Sequence, residues 1–142
     1  MGNNFAKHVW TSVVVLLFGL LAAGSTGGSG LSGKYHPEQQ KDDTYETLEI
    51  SGDTVIYVVT MRGGSSVAHR GEIKKKDEGK NGVSSASGTT EIEVTVNKRK
   101  LPSMRGIFEL EQRKEGEQVV LKYSYTNLSS NRGTESIELV KK

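Results

Sequence analysis

The chain predicts an all-β fold: an antiparallel, up-and-down barrel of about eight strands behind an N-terminal signal peptide. Three observations carry this. Beyond residue 30, apolar and polar residues alternate with period two, in runs rich in Val, Ile, Thr and Tyr. Clusters of Gly, Asn, Asp and Ser separate the runs. Every connection is about twelve residues or fewer and none has helical periodicity, which disfavours parallel crossovers.

The N-terminus comes first. Residues 1–8 are polar, with Lys7 as the fixed positive charge, and residues 9–23 are almost wholly apolar. Ala22-Ala23-Gly24-Ser25 then offers small residues at a cleavage site. The apolar run is shorter than the ~20 residues of a spanning helix. A cleaved signal over 1–24 is expected, with an uncleaved anchor as the alternative. Residues 25–30 read as a Gly/Ser linker and 31–142 as one domain. The expected localisation is secreted or periplasmic, with no membrane span in the mature protein. Lipidation is excluded, because the chain lacks cysteine and has Ala6 where a myristoylated chain carries Ser or Thr.

The strands follow in order. The first is expected around 31–36. Residues 46–50 set Leu48 and Ile50 against Glu49, and Ser51-Gly52-Asp53 turns into 55–61. Arg62-Gly63-Gly64-Ser65 turns into 67–76. Residues 77–88, rich in Gly, Ser, Asn and Lys, predict a mobile loop, either a plain connector or a lid over the barrel mouth. Residues 89–96 set Ile92, Val94 and Val96 against Glu91 and Glu93. Residues 104–111 group Met104, Gly106, Phe108 and Leu110 against Glu109 and Glu111. Glu115-Gly116-Glu117 turns into 118–126, where Val119, Leu121, Tyr123 and Tyr125 share a face. Asn131-Arg132-Gly133 precedes 134–141, with Ile137 and Leu139 aligned. A barrel of eight strands is wide enough to be filled by side chains or to hold one small ligand.

Charge excludes some functions. There are 19 Lys and Arg against 17 Asp and Glu, a near balance. Lys74-Lys75-Lys76 and Lys98-Arg99-Lys100 are local clusters, expected to solvate and protect strand ends. No groove-reading helix or stacking motif accompanies them, so no nucleic-acid partner is expected. Without cysteine there is no thiol chemistry and no Cys-ligated metal. His36 and His69 are the histidines of the domain, two ligands with no obvious third, so no metal or cofactor is expected. The carboxylates Glu91, Glu93, Glu109 and Glu111 fall on wet faces and are not spaced as an acid–base pair. The reading is therefore not an enzyme. Asn127-Leu128-Ser129 is a glycosylation sequon, relevant in a secreting eukaryote.

Two places point to binding. Parity puts His69 with Val67, Gly71 and Ile73, facing inward, with Gly71 leaving room beside it. Tyr57, Phe108, Tyr123 and Tyr125 belong to the same interior and form the expected ligand site, with His69 either a core histidine satisfied by one hydrogen bond or the group that orients a polar end of the ligand. Residues 55–59 break the alternation, because Ile56 and Val58 make the outer face apolar too. Those two are the candidate partner-binding residues; a two-layer sandwich is the alternative that would bury them.

Gly33-Lys34-Tyr35 resembles the glycine–any–tryptophan motif on the first strand of lipocalin-like (calycin-like) barrels, with tyrosine for tryptophan. The resemblance covers 31–142; the mid-chain Thr-Asp-Tyr turn of that family is absent, and Arg132 lies before the last strand rather than after it. It implies a barrel that binds a small apolar or amphipathic ligand without catalysis. The alternative function is an extracellular or envelope protein–protein interaction module.

Overall fold

The computed structural model describes residues 30–79 and 83–142. The signal region 1–24 and linker residues 25–29 lie outside them. Nine strands form in order: β1 (Gly33–His36), β2 (Thr44–Ser51), β3 (Thr54–Met61), β4 (Ser65–Glu78), β5 (Ser84–Val96), β6 (Arg99–Lys100), β7 (Met104–Glu115), β8 (Gln118–Asn127) and β9 (Thr134–Lys141). Each long strand pairs antiparallel with its chain neighbours, β4 with β5 and β1 with β9 included, so eight strands close into an up-and-down barrel. The sandwich alternative is thereby excluded. β6 is a short return strand that pairs only with the end of β5. Among the described residues, no helix is long and apolar enough to cross a membrane.

The meander sorts the connections. Loops 37–43, 62–64, 97–103 and 128–133 lie at one end, called upper here. The connections after β2, β4 and β7, and both ends of the β1–β9 seam, lie at the lower end.

Closure explains why the chain needs no covering layer. Every long strand finds partners on both sides, which removes the open edges that would invite aggregation. The seam is the weakest join. β1 meets β9 through Tyr35↔Lys141 and His36↔Val140, and the Lys142 amide donates to the Lys34 carbonyl at 3.0 Å.

One stretch departs from the sequence reading. The described parts of 77–88, residues 77–79 and 83–88, are mostly strand at the lower end: Asp77 pairs with Ser85 and Glu78 with Ser84. Its small residues have a structural reason. At Gly88 an added Cβ would lie 1.9 Å from the Glu72 carbonyl oxygen. Beside it the register of β4 shifts between Ile73 and Lys75, a bulge that bends the hairpin. The first lysine cluster also differs from expectation. Lys74 to Lys76 lie within paired β4, with Lys74 held by Glu72 at 3.1 Å and Lys76 by Asp53 at 2.8 Å. These exposed pairs contribute little to stability.

At the upper end β5 turns into β6 through Asn97-Lys98, both with positive φ (48° and 67°). This is a two-residue hairpin turn of the type that favours Asn-Gly. A lysine in that conformation is strained. Lys98→Gly is therefore expected to raise the free energy of unfolding by up to about 1 kcal/mol. Urea denaturation of the two proteins measures it; a loss of stability would show that the Lys98 stem, packed over Gly64, outweighs the strain.

Candidate functional site

The barrel interior has three levels. The lower level is closed by the chain itself. Leu31, just before β1, is 2% exposed and packs into the core. Its carbonyl accepts the Tyr35 hydroxyl at 2.6 Å. Gln112 Nε2 donates to the Tyr35 oxygen at 2.8 Å and to the Gly30 carbonyl at 2.5 Å. Burial pushes the Tyr35 phenol up to about 12, partly offset by the Gln112 hydrogen bond. Tyr35, the residue that carries the lipocalin-like resemblance, thus helps to plug the lower end.

The middle level is aromatic. Parity places Tyr57, His69, Phe108 and Tyr123 inward, as expected, and all four are buried. The room beside Gly71 is taken: an added Cβ there would meet Phe108 Cε1 at 2.8 Å. The rings pack against one another. Tyr57 lies 5.1 Å from both His69 and Tyr123, and Phe108 lies 6.1 Å from Tyr123. His69 Nδ1 and the Tyr123 hydroxyl are hydrogen-bonded at 2.8 Å. Burial pulls the His69 imidazole down to about 4, opposed by the Glu135 charge. The imidazole is therefore neutral at pH 7. Burial, with Tyr125 beside it, pushes the Tyr123 phenol above the ordinary tyrosine range, opposed by the nearby Thr90 hydroxyl, which is buried and completes no hydrogen bond of its own.

Tyr125 begins the upper level. It is half-buried, stacks edge-on to His69 at 4.5 Å, and donates to Glu135 Oε2 at 2.5 Å. Tyr57 donates to Glu46 Oε1. Burial, with the adjacent carboxylates, pushes both phenols well above the ordinary tyrosine range. Glu46 and Glu135 thus anchor the ring cluster from above, a role the sequence reading missed. The signal was present: Glu46 shares the parity of Leu48, and Glu135 that of Ile137.

Ile56 and Val58 lie on the outer wall, half-buried. Val58 stands opposite the buried Ala68, and Ile56 opposite Glu49. Burial raises the Glu49 carboxyl above the usual range, countered by Lys34. On the wall across the barrel, a groove of about 320 Å³ runs between Lys75, Asp77, Ser85, Glu109, Lys122 and Ser124. Its walls carry both signs of charge. Glu91, Glu109 and Glu111 point outward and are exposed, as expected.

The exposed apolar residues are unevenly placed. Of the six large ones among the described residues, Tyr45, Met61, Val96, Leu101 and Leu128 stand at the upper end, and Ile107 lies on the upper half of β7. The loops that carry them are tied together. Lys98 N donates to the Gly64 carbonyl, Leu101 N to Val94 and Leu128 N to Arg105. In the sequon, Asn127 is half-buried, with Nδ2 on the Met104 sulfur and Oδ1 capping Ser129 N.

Comparison with protein-family models, curated proteins and solved structures returns no match. The barrel and its site therefore stand on their own geometry.

Proposed function

We propose that the protein is an exported, non-catalytic interaction module that engages its partner with the upper end of the barrel. The supporting observation is the division of apolar side chains between the two places open to a partner or ligand. Inside, Tyr57, His69, Phe108 and Tyr123 fill the axis with mutual contacts. Outside, the exposed apolar residues gather on one end. Residues that a fold leaves exposed in one place, against the cost of hydrating them, mark an interaction surface.

The lipocalin-like resemblance extends to strand order and to Tyr35. A small apolar or amphipathic ligand in the barrel would have to part the ring cluster and displace the His69–Tyr123 hydrogen bond, so the interaction reading is preferred. Ile56 and Val58 offer a smaller lateral surface than the upper rim, because the wall around them is already half-buried.

Photo-crosslinking in the source cells tests this. A photoreactive residue at Leu128 is expected to form an adduct, and the same residue at Glu117, on the lower end, is not. Adducts at Glu117 alone, or at neither position, would reject the end-on reading.

A further inference from the structure

We infer that the upper end docks on an anionic lipid surface, with Leu101 and Leu128 entering the interface and Lys98, Arg99 and Arg132 meeting the headgroups. This rests on the end-on reading above and names its partner.

Charge is the first argument. The three loops 62–64, 97–103 and 128–133 hold five Lys or Arg and no Asp or Glu. The acidic residues of this end are Glu38, Asp42 and Asp43 on the fourth loop, where Asp43 holds Arg62 at 3.2 Å, and Glu46 and Glu135 near the strand ends, which accept from the Tyr57 and Tyr125 hydroxyls. Basic charge is thus concentrated on the half of the rim built by β5 to β9. Among the described residues, Lys98, Arg99 and Arg132 make no ion pair, whereas Lys100 reaches Glu93 at 3.6 Å. Overall net charge is only +2, so this is a local accumulation rather than a basic protein.

The second argument is the form of the apolar surface. Leu128 is 62% exposed, Val96 44% and Leu101 43%. They stand on separate strand ends and loops of a closed barrel, at one end of its axis. Separate apolar points ringed by basic residues suit the boundary between acyl chains and headgroups. There leucines gain burial, and each Lys or Arg gains from the negative surface potential. A protein partner would be better served by a recess that receives its side chains, and the groove of this molecule is elsewhere, on a wall of mixed charge.

Lys98 supplies a third, independent observation. Its positive φ sits in a turn that glycine would relax. Lysine keeps a charge in that turn at the expense of backbone strain, with its stem lying over Gly64.

The test uses the chain from Ser25, since the plug at Gly30 and Leu31 and all eight barrel strands lie within it. Cosedimentation is measured with vesicles of phosphatidylcholine alone and vesicles in which about a third of the lipid is phosphatidylglycerol. Binding is expected to the anionic vesicles only and to weaken with added salt. Removing each cation costs about fivefold, so Lys98→Ala/Arg99→Ala/Arg132→Ala should bind about a hundredfold more weakly. Leu101→Ser/Leu128→Ser should lose about tenfold or more. All these side chains are exposed, so unchanged thermal midpoints are the control for folding. Equal binding to both vesicle types, or unaltered binding by the triple variant, would overturn the lipid assignment. If vesicles fail to bind while Leu128 crosslinks to a protein, the lipid assignment falls and the end-on reading stands. If neither occurs, both fall.

Discussion

Gly88→Ala is expected to cost about 3 kcal/mol or more, and to do so without touching any exposed surface. The added Cβ would stand 1.9 Å from the Glu72 oxygen, 2.9 Å from its carbonyl carbon and 3.0 Å from Ile73 Cα. All three are backbone atoms of β4, so no side chain can swing away. The strands must separate at the bulge where Ile73 faces Gly88 and the register shifts. Gly116 is the comparison. It has positive φ (64°) and nothing within 4 Å of an added Cβ, so Gly116→Ala should cost only about 1 kcal/mol, the strain of the turn. Urea unfolding of both variants measures the contrast. Equal, small losses would mean that the β4–β5 hairpin is free to open at this point.

The second large effect is on acid stability. His69 is 2% exposed and packed by Tyr57, Tyr123 and Tyr125, with Glu46 and Glu135 beyond those rings. Its imidazole is lowered from 6.5 to about 4, chiefly by burial, so the folded state favours the neutral form. The unfolded chain takes up a proton near pH 6.5 and the folded one does not until about pH 4. The stability that His69 confers is therefore complete above about pH 6.5 and is lost as pH falls toward 4. Each pH unit in that window removes about 1.4 kcal/mol, for a total of about 3 kcal/mol. Surface ion pairs such as Arg113–Glu138 are screened by solvent and cannot mimic this slope. His69→Gln should be less stable at pH 7, yet its stability should fall about 3 kcal/mol less between pH 6.5 and 4. Parallel curves for the two proteins in chemical denaturation would show that His69 carries its proton within the fold. A role for His69 in orienting a polar ligand group through a positive charge is disfavoured by the same geometry: the folded imidazole stays neutral down to about pH 4, where its protonation favours unfolding.

Most of the barrel was legible in the alternation, because a strand with one dry face and one wet face repeats every two residues. Leu48 and Ile50, Phe108 and Leu110, and Leu121 and Tyr123 all point where parity places them. Barrel closure was legible in the short connections. The hairpin 77–88 was not, because its outward Ser85 and Ser87 and inward Ala86 and Gly88 carry almost no hydropathy contrast. There, close approach to the Glu72 backbone overrode weak strand propensity. Leu31 was placed in the first strand, yet its place is a plug beneath it, fixed by Tyr35 and by Gln112, more than seventy-five residues away in sequence. No local pattern encodes such a contact. Glu46 and Glu135 were overlooked for a different reason. An inward carboxylate reads as an error in the pattern until the Tyr57 and Tyr125 hydroxyls that meet it are known. The filled interior depended on ring size and on Phe108 lying over Gly71, which alternation alone does not measure.

The central claim, that recognition happens on the upper rim and not inside the barrel, is tested most directly by chemical-shift mapping. The isotopically labelled chain from Ser25 is titrated with bicelles containing phosphatidylglycerol. Shifts and broadening are expected only in the amides of loops 97–103 and 128–133, with the His69 imidazole and the Tyr57 and Tyr123 rings unchanged. Shifts centred on His69, Tyr57 and Tyr123 with those two loops silent would contradict it, and would place the bound molecule inside the barrel.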